Sequence, residues 1–269
     1  PFAFIGKPCD IAALRNLAHY DGRVNELVKY WLTPVCGGFM NPSAIDAFLS
    51  RAGIKLENLT SLRYRGQGCP GPMRAETADE VKEFHYLDFW GDNASTWDLP
   101  FRCKICPDGI GEAADIAAAD TWIGGSPTRE GSKSDSGTNA VVVRTAAGLE
   151  LLEAAAKTGA INIEYDITPD DMSIYQPHQM RKKYAAHDRF QGLGDEGRIV
   201  PKTDRLRLAE LADEVGGGGG GTPMLDDDLA GGGGGGPGHP KPQGPLLQSE
   251  SQQLTILTGA EQVEGSPRQ

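Results

Sequence analysis

Four cysteines stand in turn-forming contexts whose types and spacing suit metal or cluster chemistry. Cys9 follows Gly6-Lys7-Pro8, Cys36 precedes Gly37-Gly38, and Cys103 and Cys106 form a C-x-x-C pair followed by Pro107. A C-x-x-C loop sets two sulfurs on one side of a tight turn, and two thiolates from distant loops would complete a set of four. Proline beside a ligand recurs in iron–sulfur loops. Structural zinc more often shows two short pairs of ligands, and this chain has one. Spacing alone therefore leaves three readings open: an iron–sulfur cluster, zinc, or unliganded thiols. The fifth cysteine, Cys69, sits in Gly66-Gln67-Gly68-Cys69-Pro70-Gly71 and reads as a small buried residue of a glycine-rich loop.

The elements that must position these turns alternate between strand and helix. Phe2-Ala3-Phe4-Ile5 reads as a buried strand running into Gly6, with Asp10 placed to cap a helix from Ile11 to about Ala18. A buried parallel strand needs neighbours on both sides. With Pro1 as the first residue, we expect a fragment lacking an N-terminal part of the sheet. Leu32–Cys36 is a second strand-to-turn transition, and Asn41 or Ser43 caps a helix through about Ala52 that carries Ile45, Phe48 and Leu49 at helical spacing. Strands are expected at Leu59–Arg65, Ile116–Ala119 and Gly137–Arg144, and a helix at Leu149–Ala156. The aromatic stretch Phe84–Trp97 is ambiguous. This alternation predicts an α/β domain, a mixed sheet with flanking helices, over residues 1–214.

Composition sets the outer limits. Glycine accounts for 36 of 269 residues, and the runs Gly216–Gly221 and Gly231–Gly236 concentrate it beyond residue 214. Residues 215–269 have the composition of a flexible acidic linker and are expected to be a disordered tail. A net charge of −11 argues against nucleic acid as a partner, because phosphate neutralisation needs a basic face. No apolar run is long enough for a membrane span, and no export signal opens the chain. Five cysteines then point to a reducing compartment, the cytoplasm, and to metal or redox use rather than disulfides.

Several separated motifs carry a family resemblance. Gly6-Lys7-Pro8-Cys9-Asp10-Ile11-Ala12-Ala13-Leu14-Arg15 resembles the G-T-P-C-Q-I-x-A-L-R segment of the coenzyme F-420 hydrogenase/dehydrogenase beta-subunit family. Cys36-Gly37-Gly38-Phe39 is similar to its second cysteine turn, and Tyr64-Arg65-Gly66 with Pro70-Gly71 to its Y-R-G-x-G-x-P-G stretch. Most specific is Arg102-Cys103-Lys104-Ile105-Cys106-Pro107-Asp108 with Glu112, Ala114-Asp115-Ile116 and Asp120-Thr121-Trp122, which resembles R-C-x-x-C-x-D…E-x-A-D-I-x-x-x-D-x-W. The match runs over about residues 2–200. Lys7 departs from the usual threonine, Cys69 stands where tryptophan is more common, and the glycine-rich tail has no counterpart.

The resemblance implies an oxidoreductase that passes electrons between a [4Fe-4S] cluster and FAD, to or from an organic acceptor such as coenzyme F-420. It implies Cys9, Cys36, Cys103 and Cys106 as cluster ligands. It also implies an electron-donor protein, ferredoxin-like or a hydrogenase/dehydrogenase subunit, and a small-molecule redox substrate. For the flavin, backbone N–H groups of Gly137-Thr138-Asn139 are candidates to receive a pyrophosphate. Arg65 and Lys182 are candidates to neutralise it, and Asp120 and Trp122 to line the pocket. His178, ahead of Arg181-Lys182-Lys183, reads as a surface histidine, with proton donation as its alternative. The competing functional classes are a non-catalytic zinc- or cluster-binding interaction module and a redox enzyme of polysaccharide metabolism.

Overall fold

The computed structural model describes residues 1–91, 96–216 and 253–259. The first strand, β1 (Phe2–Ile5), leads into α1 (Pro8–Leu17); α2 (Arg23–Leu27) and β2 (Val28–Pro34) follow, then α3 (Pro42–Arg51). An antiparallel meander comes next, β3 (Leu59–Arg63), β4 (Met73–Thr77) and β5 (Val81–Phe84), with short helices α4 (Tyr86–Trp90) and α5 (Phe101–Lys104) after it. Strands β6 (Ile116–Asp120), β7 (Thr138–Val143) and β8 (Ile161–Asp166) are separated by a loop and by α6 (Ala146–Lys157). Helices α7 (Pro169–Tyr175), α8 (Pro177–Tyr184), α9 (Ala186–Asp195) and α10 (Leu208–Gly216) complete the body. A last strand, β9, spans Gln253–Gly259.

Six strands form the main sheet in the order β1-β2-β6-β7-β9-β8. β1, β2 and β6 run parallel, and β7, β9 and β8 are antiparallel to their neighbours. The α/β reading with a mixed sheet and flanking helices is what the structure shows. Alternation along β6 and β7 explains the two apolar layers. Ala117, Ala119, Ala140 and Val142 face Ile167 and Met172 on one side, while Val141 and Val143 meet Leu152 of α6 on the other. The meander packs separately on α3 through Phe48, Leu49, Ile54, Met73 and Ala75. One buried carboxylate ties the parallel half together. Asp115 accepts from the Trp31 backbone N–H (2.9 Å), the Thr145 hydroxyl (2.9 Å) and Arg15 (3.3 Å), joining β2, the start of α6 and α1.

Three local readings change. Among the described residues β1 lies at the end of the sheet order, and Phe2 and Ile5 are exposed rather than buried, with Phe4 packed on the α1 side. Helix α1 begins at Pro8, so Lys7 is the cap residue and Asp10 sits in the first turn, its Oδ2 accepting the Lys7 backbone N–H at 3.0 Å. Proline at the first helical position suits that earlier start, since its missing N–H has no helical partner to lose. Most of the tail expected to be disordered lies outside the described residues. Within it, however, Gln253–Gly259 pairs between β7 and β8. Its Leu-Thr-Ile-Leu-Thr core has the branched, apolar composition that a sheet interior favours.

Candidate functional site

Parallel strands deliver their C-terminal ends to the same sheet edge, where open α/β sheets place their ligands. Here β1 ends just before Cys9, β2 just before Cys36, and β6 at Asp120, two residues before Trp122. The antiparallel β7 starts at that edge, so Asn139 pairs with Asp120. Gly6 N–H donates to the Leu32 carbonyl (3.1 Å) and Val35 N–H to the Ala118 carbonyl (2.7 Å), which extends the ladder into the loops.

The cysteine turns are joined backbone to backbone. Cys36 N–H donates to the Gly109 carbonyl at 2.8 Å. A side chain at Gly109 would put its Cβ 3.0 Å from the Cys36 carbonyl oxygen and 3.0 Å from Gln179 Cγ, so any larger residue there would crowd this approach. Cys9 is exposed; Cys36, Cys103 and Cys106 are half-buried. Burial pushes the Cys36 and Cys106 thiols up; nearby thiols at Cys103 and Cys9 raise Cys36 further, and Cys36 raises Cys106. Cys9, Cys103 and Cys106 thus each lie within electrostatic reach of Cys36. Among the described residues, no group of three or more His, Cys, Asp or Glu side chains is spaced to hold a single metal ion. A four-iron cluster makes a different demand, because it spreads its thiolates over separate corners.

Helix α8 reaches into these turns. Lys182 is 7% exposed, and its Nζ donates to the Gly37 carbonyl (2.8 Å) and the Cys103 carbonyl (3.0 Å). The Gly37 carbonyl also lies 3.2 Å from His178 Nε2, and Trp97 packs on the His178 ring. Buried Gln179 packs where Gly37 and Gly109 lack side chains, and Lys183 meets Glu112 at 3.0 Å. Burial raises the Glu112 carboxyl, opposed by Lys183. The basic run at 181–183 therefore does not form a solvated face. Lys182 and Lys183 are interior, at i+3 and i+4 from buried Gln179 on α8, and that spacing was the available sequence signal.

The residues predicted to contact flavin converge as a second group. Arg65 forms a two-pronged pair with Asp120, both bonds 2.8 Å, and its guanidinium carbon lies 4.9 Å from the centre of the Trp122 ring. These bonds hold the Arg65 guanidinium above its ordinary value. Trp122 Nε1–H donates to Cys69 Sγ at 3.3 Å, and Tyr86, whose phenol burial pushes up to about 12, packs on the same indole. Gly137 adopts φ +79°, and an added Cβ would stand 3.0 Å from Cys69 Cβ. Its N–H donates to Asp135 (2.8 Å), while the Thr138 and Thr121 hydroxyls bond each other. Six of the seven predicted flavin residues thus lie in one region: Arg65 pairs with Asp120, Trp122 and Gly137 meet Cys69, and Asn139 is the register partner of Asp120 beside Thr138. Lys182 is the exception and belongs with the cysteine turns. Gln176 connects the two groups, since its Nε2 donates to the Asp120 carbonyl (2.7 Å) at the cap of α8.

Residues 1–167 match the family model that describes the C terminus of the coenzyme F420 hydrogenase/dehydrogenase beta subunit. The chain belongs to this family. Its members are oxidoreductases, and the resemblance carried by the cysteine and Asp-x-Trp motifs is borne out. Among solved structures, the chain is similar to one in the F420-reducing [NiFe] hydrogenase complex from Methanosarcina barkeri, studied by xenon derivatization. Identity is 15%, the TM-score is 0.46, and the likeness covers 73% of this chain and 63% of that one. No curated protein matches the sequence. Among the described residues, no helix is long and apolar enough to cross a membrane.

Proposed function

We propose that this chain is the iron–sulfur flavoprotein subunit of an oxidoreductase, with Cys9, Cys36, Cys103 and Cys106 holding a [4Fe-4S] cluster. The observation that supports it is the gathering of these thiols around Cys36, from the start of α1, the loop after β2 and the α5 segment. Bound there, the cluster would exchange single electrons and FAD would accept two and release them as hydride to an acceptor such as coenzyme F-420. The reading is completed by an electron-donor protein, ferredoxin-like or another subunit of a hydrogenase or dehydrogenase, and by a cytoplasmic setting.

The chain's own residues divide the work. The Cys36–Gly109 backbone bond and the Lys182 ammonium hold the ligand turns in register. Backbone N–H groups in such glycine turns tune cluster sulfurs. Trp122, Tyr86 and Arg65 form a packed wall on the neighbouring strand end. The donor chemistry fits a cluster. The phosphate contacts first expected for FAD do not fit as they stand, because Arg65 is engaged by Asp120 and Lys182 by two carbonyls. No flavin contact is therefore assigned to either.

The test is anaerobic purification of the full chain. A brown protein with about four irons and four sulfides per chain, reduced sharply by Cys36→Ser or Cys103→Ser, is the expected result, with yellow flavin released on denaturation. A colourless protein carrying stoichiometric zinc would instead establish the interaction-module reading.

A further inference from the structure

We propose that Lys182 is a positioning residue that clamps two separate cysteine turns and places a fixed positive charge between them. This inference rests on the cluster reading above. One ammonium bridges the carbonyl of Gly37, next to Cys36, and the carbonyl of Cys103 itself, at 2.8 and 3.0 Å. The two acceptors are 66 positions apart in sequence, one on the loop after β2 and the other in α5, so the side chain acts as a cross-link between them. Lys182 stands on α8, with Gln179 packed against the same loops and Lys183 paired to Glu112. The helix delivers the charge from outside the cysteine motifs, which is why no ligand spacing contains it.

Two physical consequences separate the clamp from a mere buried lysine. The turns should stay closed before any iron is present, because the bridge is made to backbone. A buried cation also stabilises the more negative, reduced form of a thiolate-bound cluster, so it raises the reduction potential. Lysine serves this geometry with a compact charge and three donors. Arginine keeps the charge and a neutral methionine keeps only the apolar stem.

The experiment uses the full chain as wild type, Lys182→Arg, Lys182→Met and Lys182→Gln. Amide hydrogen exchange on the iron-free proteins reads the clamp. Peptides covering 36–39 and 103–109 should exchange several-fold faster in Lys182→Met than in wild type, and least fast among the variants in Lys182→Arg. Redox titration of the reconstituted proteins reads the charge. The potential should move to a more negative value in Lys182→Met and Lys182→Gln and stay near wild type in Lys182→Arg. Unchanged exchange in Lys182→Met overturns the clamp, and equal potentials across the series overturn the electrostatic role. A wild-type chain that takes up no cluster overturns the cluster reading, and the charge role with it, while exchange still decides the clamp independently.

Discussion

At the scale of single residues, the decisive contacts are those that let loops touch. Gly109 is an example, because a methyl group there meets the Cys36 carbonyl oxygen at 3.0 Å and Gln179 at the same distance. Gln179 can shift, but the carbonyl belongs to a turn already fixed by hydrogen bonding. Gly109→Ala is therefore expected to cost about 1–3 kcal/mol in urea unfolding and to lower iron content in parallel. Unchanged stability with full iron would show that the turns tolerate separation. That Cys36 and Asp120–Trp122 follow strand ends was legible in the sequence, because motif and strand end coincide. Cys69 was not. Its partner, Trp122, lies far along the chain, and only the fold brings the indole N–H to the thiol. The contacts of Lys182 with the Gly37 and Cys103 carbonyls were not legible for a similar reason, since a run of three basic residues carries no sign of which members face inward.

At the scale of elements, α7 and α8 carry the second layer of the site, and the start of α7 is well defined. Thr168 caps α7, accepting from the Asp171 N–H through its hydroxyl, while Asp171 Oδ2 accepts the Thr168 N–H at 2.8 Å. This reciprocal box satisfies two donors that a helix start leaves open. Thr168→Ala should destabilise the protein by about 1 kcal/mol at neutral pH. The same bonds, led by the one from the Thr168 backbone, hold the Asp171 carboxyl below its ordinary value of 3.8. A depressed carboxyl binds fewer protons in the folded state, so its contribution is present above 3.8 and fades as pH falls through the folded value. The stability advantage of wild type over Asp171→Asn should therefore shrink in acid unfolding curves below that pH. A constant gap would remove the box from the account. Element types were mostly readable because β6, β7 and α6 show clean alternation or helical spacing. The cap of α1 moved to Lys7 because proline at the first helical position outweighed the usual preference for an acidic cap.

At the scale of the whole molecule, the sheet divides its labour between its two ends. The parallel β1, β2 and β6 lead to Cys9, Cys36 and Asp120, whereas β9 and β8 lie at the far edge. Deleting residues 217–269 removes β9 and leaves β8 without its sheet neighbour among the described residues. Such a chain should lose several kcal/mol of stability, at about 1 kcal/mol per ladder hydrogen bond, yet take up as much iron as the full chain does under the proposed function. Loss of iron together with stability would show that the far edge supports the site directly. Parallel pairing near the site was foreseeable from strands alternating with helices, but β9 was not. Its segment is embedded in a glycine-rich, acidic stretch whose average composition conceals seven residues of strand-forming sequence.

The position of β9 also has a bearing on how the protein is made. The strand formed by residues 253–259 lies inside the sheet, between two strands completed by residue 166. During synthesis β7 and β8 emerge first and cannot pair with each other in the final order, so each presents an open edge until residues 253–259 arrive. Open edges of this kind recruit other strands, and long-range pairing closes slowly. Nascent chains stalled between those points are where self-association and chaperone dependence should concentrate.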